Sequence, residues 1–218
     1  MGRDLTDLRE SYQRAGLRRA ELAADPVAQF ERWWDHWLAT EPYDPAACVL
    51  ATADGDGRPA ARYVLCRSFD ASGFVVYTNQ RSAKARQLAA NPWASLVFGW
   101  LELARQVRVE GPVTMVDPAE ADEYWASRPR GHQLGAWASP QSEAVADREA
   151  LDRGQAEVEA RFGTDEADGP VPRPDHWGGY RIAIDRVEFW QGQPNRLHDR
   201  FEYRADGAGG WEIQRLAP

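Results

Sequence analysis

Between residues 47 and 78, three short apolar runs are separated by two turn signals, and this alternation constrains the fold more than any other feature of the chain. Ala47-Cys48-Val49-Leu50-Ala51-Thr52 reads as a buried strand, Asp54-Gly55-Asp56-Gly57 as a turn, and Ala60 to Arg67 as the returning arm of a hairpin. Asp70-Ala71-Ser72-Gly73 then leads into Phe74-Val75-Val76-Tyr77-Thr78, which makes the segment an antiparallel meander. Further strands are expected over 93–101 and 104–115, and near 180–190, 197–204 and 210–216. Six or seven short strands with peripheral helices predict an α+β fold built on an antiparallel β-barrel. In the middle strand of the meander, Arg62 and Arg67 are an odd number of residues apart. They should face opposite sides unless a bulge intervenes, so two anionic sites are open to the chain. Gln106, set among Val107 and Val109, is either a ladder-edge residue or a hydrogen-bonding contact to a bound ring.

Helix signals surround these strands. Asp25-Pro26 supplies an N-cap and a first-turn proline, and Val27, Phe30, Trp33, Trp34, Trp37 and Leu38 follow at three- and four-residue steps. That aromatic face suits a core or a dimer contact. Leu5, Leu8 and Tyr12 suggest a short helix within 3–15. Ser82 opens a helix carrying Lys84, Arg86 and Leu88 up to Asn91-Pro92. A lysine in the first turn opposes the helix dipole and makes better sense if an anion sits there. Asp117-Pro118 starts another helix with Tyr124, Trp125 and Arg128 towards its end, and a charged helix is expected over about 143–162, before a surface loop at 164–176. The 218 residues show no internal repeat and fit one domain.

A formal charge of −8 argues against a nucleic-acid binder, whereas the local pairs Arg128/Arg130 and Arg196/Arg200 suit a small anionic ligand. Cys48 and Cys66 have no metal-ligand spacing and read as buried apolar residues of a reducing compartment. The polar N-terminus and the lack of a long apolar run predict a cytoplasmic location, with no membrane partner. No catalytic triad, zinc spacing or phosphate-binding glycine loop is present. The stretch from Glu188 to Phe201 gathers Arg196, His198, Asp199 and Arg200 behind an aromatic run. If extended, it would turn Arg196, His198 and Arg200 to one side, either as a ligand-facing row of donors or as a solvated strand edge. A chain rich in arginine, aromatic and amide groups, without a reactive nucleophile, fits an organic cofactor that carries the hard step.

Motifs spread along the chain carry a specific resemblance. They include Leu8-Arg9, Gly16-Leu17-Arg18-Arg19, Tyr77-Thr78-Asn79, Arg105-Gln106-Val107, Ser127-Arg128-Pro129-Arg130, Gln133-Leu134-Gly135-Ala136-Trp137, Gln141-Ser142, Trp177-Gly178-Gly179, Phe189-Trp190-Gln191-Gly192, Arg196-Leu197-His198-Asp199-Arg200 and Arg215-Leu216-Ala217-Pro218. Together they resemble the pyridoxine (pyridoxamine) 5′-phosphate oxidases, FMN-dependent enzymes that make pyridoxal 5′-phosphate. The resemblance implies a split β-barrel homodimer with FMN at the subunit interface, a mobile N-terminal segment (about 1–20) and a C-terminal β section (about 178–218) that completes the active site. The implied FMN contacts are Arg62, Tyr77, Thr78, Lys84, Gln106, Gln141, Ser142, Trp190 and Arg200. Arg67, Tyr124, Arg128 and His132 would surround the substrate phosphate, Arg196 and His198 would lie at the pyridine ring as the catalytic pair, and Arg9 and Tyr12 would form part of a lid. The implied reaction passes a hydride from substrate C4′ to the flavin, with O2 as final acceptor and H2O2 as product.

Three positions depart from the family pattern: Arg67 where lysine is usual, Ala83 where arginine is frequent, and His132 where serine is common. They motivate two alternatives, a sister flavin oxidase of a tricyclic substrate in phenazine-type biosynthesis and a non-catalytic flavin or pyridoxal phosphate binding protein.

Overall fold

The computed structural model of the chain describes residues 16–218. The helix expected within 3–15 lies outside the described residues, as do Arg9 and Tyr12. Nine strands are present among the described residues: β1 Ala47–Ala53, β2 Pro59–Asp70, β3 Gly73–Asn79, β4 Trp93–Trp100, β5 Arg105–Met115, β6 Trp177–Ile182, β7 Arg186–Gln191, β8 Asp199–Ala205 and β9 Trp211–Leu216. Five helices accompany them: α1 Pro26–Leu38, α2 Ala83–Ala90, α3 Pro118–Ala126, α4 Arg130–Ala138 and α5 Arg148–Phe162.

The strand order β4-β1-β2-β3-β6-β5 closes on itself through β4–β5 pairing, giving a six-stranded antiparallel barrel. From β5 the sheet continues outward as β7-β8-β9. β5 serves both parts because it bends. Residues 105–110 pair with β4 on one side and β7 on the other, whereas Val113–Met115 pair with β6. Gly111 lies at the corner, where an added Cβ would meet the Ala183 carbonyl oxygen at 1.8 Å, so no side chain fits. The single strand expected near 180–190 is two strands. Ala183 and Asp185 break it by donating their backbone N–H groups to Pro112 and Glu110 of β5.

α1 plugs the barrel. Asp25 caps it by accepting from the Val27 and Ala28 amides, and Pro26 occupies the first turn. Phe30, fully buried, meets Phe69, Phe74 and Phe98 edge-on at centroid distances of 4.8, 4.9 and 4.9 Å. Trp33 and Trp37 pack beside it against Trp100. The tryptophan-rich face is therefore core. Cys48 and Cys66 are free thiols in the same core, and burial raises both pKa values, that of Cys66 to about 12.

One helix boundary differs from expectation, and one helix was not anticipated. α5 begins at Arg148 rather than 143, because Asp147 supplies its cap by accepting from the Ala150 amide. α4 forms over a segment holding two glycines, held by burial of Leu134 and by Gln133, which donates to the Trp125 carbonyl at 2.8 Å.

Candidate active site

A cleft of about 310 Å³ opens beside the barrel, lined by Arg67, Tyr77, Thr78, Lys84, Tyr124, Arg128, His132 and Gln141, among others. It adjoins a second lobe of about 390 Å³, where Tyr77, Thr78, Arg128, His132 and Gln141 recur with Trp177 and the glycine face of α4. Eight residues singled out in the sequence thus meet in one depression, drawn from β2, β3, α2, α3, the α3–α4 turn, α4 and the segment after α4.

At one end the Lys84 ammonium lies 2.9 Å from Thr78 Oγ1, 3.2 Å from Ser82 Oγ and 3.3 Å from Gln141 Oε1. All three partners are neutral. Burial, reinforced by the Arg62 charge, lowers the Lys84 pKa to about 8. Arg62 projects from the inward face of β2, donating to the Leu50 carbonyl, Thr52 Oγ1 and Gln87 Oε1 at 3.1, 2.7 and 2.9 Å. Neither cation has a carboxylate partner among these contacts, which leaves the positive charge there open to an anionic ligand. Ser82 precedes α2 as expected, but its hydroxyl faces Lys84 rather than capping the helix.

At the other end stand Arg67 and Arg128. The β2–β3 register shifts between Cys66 and Ser68, and Arg67 occupies that bulge. Arg67 lines the cleft while Arg62 points inward, so the two arginines do face different sides. Arg128 lies over the Trp177 ring at 4.7 Å and donates to the His132 carbonyl at 2.8 Å. Its pKa is lowered by burial, partly countered by Tyr124 and lowered further by Arg67. Its Nε is buried without a hydrogen-bond partner, a donor that an anionic ligand would satisfy. Arg130 belongs elsewhere: its guanidinium donates to the Phe162, Gly163 and Gly169 carbonyls and closes the loop after α5.

Between the two ends, Tyr77 stacks on Tyr124 at 4.0 Å and is near-parallel to Trp177 at 5.4 Å. Its hydroxyl reaches Glu120, both of whose carboxylate oxygens accept from Nη2 of Arg181. Burial first, then Glu120, pushes the Tyr77 pKa up to about 12. Gly179 opposite lacks the Cβ that would sit 2.8 Å from the Tyr77 ring.

The remaining expected contacts lie on the extension of the sheet. Gln106, Trp190 and Arg200 are successive cross-strand partners on β5, β7 and β8, so their side chains share the outer face. Gln106 is paired on both sides, with Gly99 and Trp190, which excludes the ladder-edge reading. Trp190 lies 4.6 Å from the His198 ring.

The extended row Arg196, His198, Arg200 does not exist as such. Pro194–Arg196 is a 3-10 turn in which Asn195 and Arg196 adopt positive φ of 56° and 61°, and β8 begins only at Asp199. The Gln193 amide donates to His198 Nδ1 at 3.1 Å, which orients the ring. None of Gln106, Trp190, Arg196, His198 and Arg200 lines either lobe of the cleft, and neither does Ser142, which is exposed with φ 73°. The expected site is thus divided into two half-sites within one chain.

A family model described as pyridoxamine 5′-phosphate oxidase matches residues 38–162, more than half of the chain. A pyridoxine/pyridoxamine 5′-phosphate oxidase of Rubrobacter xylanophilus is 53% identical over 216 residues, covering 99% of this chain and 97% of that protein. One from Synechocystis is 50% identical over 217 residues, covering 100% and 99%. The chain belongs to the pyridoxine/pyridoxamine 5′-phosphate oxidase family. A second model, the C-terminal dimerisation region of pyridoxine 5′-phosphate oxidase, matches residues 177–218, which hold β6 to β9 and, apart from Gln106 on β5, the residues of the second half-site. Among solved structures, PhzG of Burkholderia lata, in complex with tetrahydrophenazine-1-carboxylic acid, has a TM-score of 0.86 at 31% identity, covering 96% of this chain and all of that one. The barrel is therefore the split β-barrel of this family.

Several participants escaped the sequence reading. Trp177 was legible only as part of a motif, yet its ring carries Arg128 and parallels Tyr77. Gln87 and Thr52, which hold Arg62, gave no local signal because they come from α2 and β1. Glu188 stood within the C-terminal stretch but its part in holding Arg200, through hydrogen bonds of 2.7 and 3.1 Å, requires the β7–β8 pairing.

Proposed function

We propose that the protein oxidises pyridoxine 5′-phosphate and pyridoxamine 5′-phosphate to pyridoxal 5′-phosphate, with FMN as cofactor and O2 as electron acceptor, in a homodimer that joins the two half-sites. The observation that carries this reading is a cleft lined, among the described residues, by Lys84, Arg67 and Arg128 and by no carboxylate, with the inward-pointing Arg62 adding its charge to that of Lys84. Two phosphorylated ligands meeting over an aromatic and amide floor require that arrangement.

The residues fit FMN. Lys84 and Arg62, with Thr78 and Gln141, would hold its phosphate, because a buried ammonium whose partners are all neutral is stabilised by an anion. Trp190, Gln106 and Arg200 would present a flat surface and hydrogen-bond donors to its ring. When bound, FMN supplies a two-electron acceptor that O2 restores, with H2O2 released.

This chain's own residues supply geometry and charge. Arg67 and Arg128 anchor the substrate phosphate, and the unpartnered Nε of Arg128 gives one more donor to it. Arg196 and His198 would orient the pyridine ring so that C4′ lies at near-attack distance, roughly 3–3.5 Å from its acceptor. With Nδ1 accepting from the Gln193 amide, the neutral His198 ring carries its proton on Nε2 and acts there as a hydrogen-bond donor. Exposed Tyr63 at the cleft, Leu101 after β4 and Leu197 between Arg196 and His198 are 80, 84 and 70% exposed, apolar surface that a second copy would cover.

The 31% identity to PhzG favours one competing reading, oxidation of a tricyclic aromatic acid. Arg67 and Arg128 weigh against it, since they suit a phosphate. An anaerobic spectrum of FMN-loaded protein decides between them. Bleaching of the flavin band by pyridoxine or pyridoxamine 5′-phosphate, with pyridoxal 5′-phosphate formed and colour restored by air, is expected. FMN binding without bleaching by either substrate would refute the oxidase reading.

A further inference from the structure

Glu188 sits on the outer face of β7, one cross-strand row away from Trp190, yet its side chain is only 3% exposed. Its Oε1 accepts from Arg200 Nε at 2.7 Å and its Oε2 from Arg200 Nη2 at 3.1 Å. This is a bidentate fork. Oε2 also accepts from Arg108 Nη2 at 2.9 Å. From Arg108 the charges continue in alternation: to Glu110 at 2.8 Å, to Arg186 at 2.8 Å, to Glu202 at 3.5 Å and to Arg204 at 3.0 Å. The ladder crosses β5, β7 and β8 and has Arg200 at one end.

Arg200 is fixed at its third nitrogen as well, since Nη1 donates to the Ala217 carbonyl at 2.8 Å. Of the five N–H groups of a guanidinium, that leaves one on each terminal nitrogen for a ligand. Its positive charge is matched by the Glu188 carboxylate, which makes it a directed donor to a neutral carbonyl rather than a counter-ion for phosphate. The cations at Lys84 and Arg67 have no such carboxylate among their described contacts, so the site distinguishes charge-neutralising from orienting positions.

We propose that Glu188 is a positioning residue of the active site, which acts through Arg200 by locking its guanidinium in the plane that meets the flavin ring. The proposal rests on the reading that the Gln106–Trp190–Arg200 row faces FMN. An arginine held at three nitrogens by protein groups loses little freedom when the ligand binds, and that preorganisation appears as affinity. Removing the carboxylate frees a long side chain and leaves Arg108 and Arg200 facing each other across a neutral amide.

The test is a double-mutant cycle on FMN binding, measured by quenching of flavin fluorescence as full-length protein freed of flavin is titrated. Glu188→Gln is expected to raise the FMN dissociation constant about tenfold, the effect of losing one charge-assisted hydrogen bond. Arg200→Gln is expected to weaken binding by at least as much, and the double variant to bind no more weakly than Arg200→Gln alone. The absorption bands of the bound flavin should shift equally in all three variants. Multiplying effects, or an unchanged Glu188→Gln beside a weakened Arg200→Gln, would overturn the positioning role. An unchanged dissociation constant in Arg200→Gln would instead overturn the placement of Arg200 at the flavin, and the role of Glu188 with it. Should Glu188→Gln not fold, Glu188→Asp, which withdraws the carboxylate by one methylene, must show the same dependence on Arg200.

Discussion

In the proposed function, Lys84 is the residue on which cofactor binding would turn. Its ammonium is held by three neutral oxygens, and its pKa of about 8 is depressed by burial and by Arg62. A phosphate placed there favours the charged form, so FMN affinity is expected to be flat below about pH 8 and to fall as pH rises through that value. Replacing Lys84 by methionine should weaken FMN binding roughly ten- to a hundredfold and abolish the pH dependence, which equilibrium titrations from roughly pH 6.5 to 10.5, through the shifted and unshifted lysine values, would record. The sequence hinted at this site, because a lysine in a first helical turn is unfavourable unless an anion is near. Arg62 was named there as an expected FMN contact, but no local signal joined it to Lys84: Thr52 of β1 and Gln87 of α2 hold its guanidinium, and that requires β1 to pair with β2 and α2 to lie against them. Arg196 was legible as a type but not as a geometry. Alternation predicts a strand face, whereas two consecutive left-handed residues put the guanidinium on a turn. Arg196→Ala is expected to lower kcat by about a hundredfold with FMN binding unchanged, as measured by steady-state oxidation and flavin titration, because it removes a group that orients the substrate.

At the scale of elements, close packing of backbones decides what the pattern of apolar runs leaves open. The hairpin, the meander and the β4–β5 pair were readable from turn residues and alternation. The corner between β6 and β7 was not, since Ile182, Ala183 and Ile184 form an unbroken apolar run. The break exists because Ala183 and Asp185 turn to bond with β5 at its own corner. Gly111→Ala should therefore be costly, since the added methyl meets a backbone carbonyl at 1.8 Å that cannot retreat without breaking this junction. A loss of at least about 3 kcal/mol in denaturant unfolding is expected. Gly179→Ala presses on side chains instead, the Tyr77 ring and Val116 at 2.8 Å, and should cost about 1–3 kcal/mol. Its larger effect should be on ligand binding, because Tyr77 would leave its stack with Tyr124.

For the whole molecule, the division of the site is the central fact. The cleft holds Lys84, Arg67, Arg128 and the tyrosine stack, while Gln106, Trp190, Arg196, His198 and Arg200 stand on the sheet extension and line neither lobe. Sequence motifs identified members of both halves, and only the family resemblance they carry implied that the halves meet across a subunit interface. In the proposed homodimer, a twofold axis would bring the cleft of one subunit to the extension of the other at two equivalent places. The most direct measurement is complementation between two inactive variants, Lys84→Glu and Arg196→Glu, unfolded together and refolded as a mixture. Each hybrid dimer would then contain one site with both residues intact and one with both replaced. Since about half of a random mixture is hybrid and half of its sites are intact, the account predicts return of roughly a quarter of the native rate of pyridoxine 5′-phosphate oxidation. Hybrid dimers that form but remain inactive would contradict it, because the two half-sites would then belong to one chain.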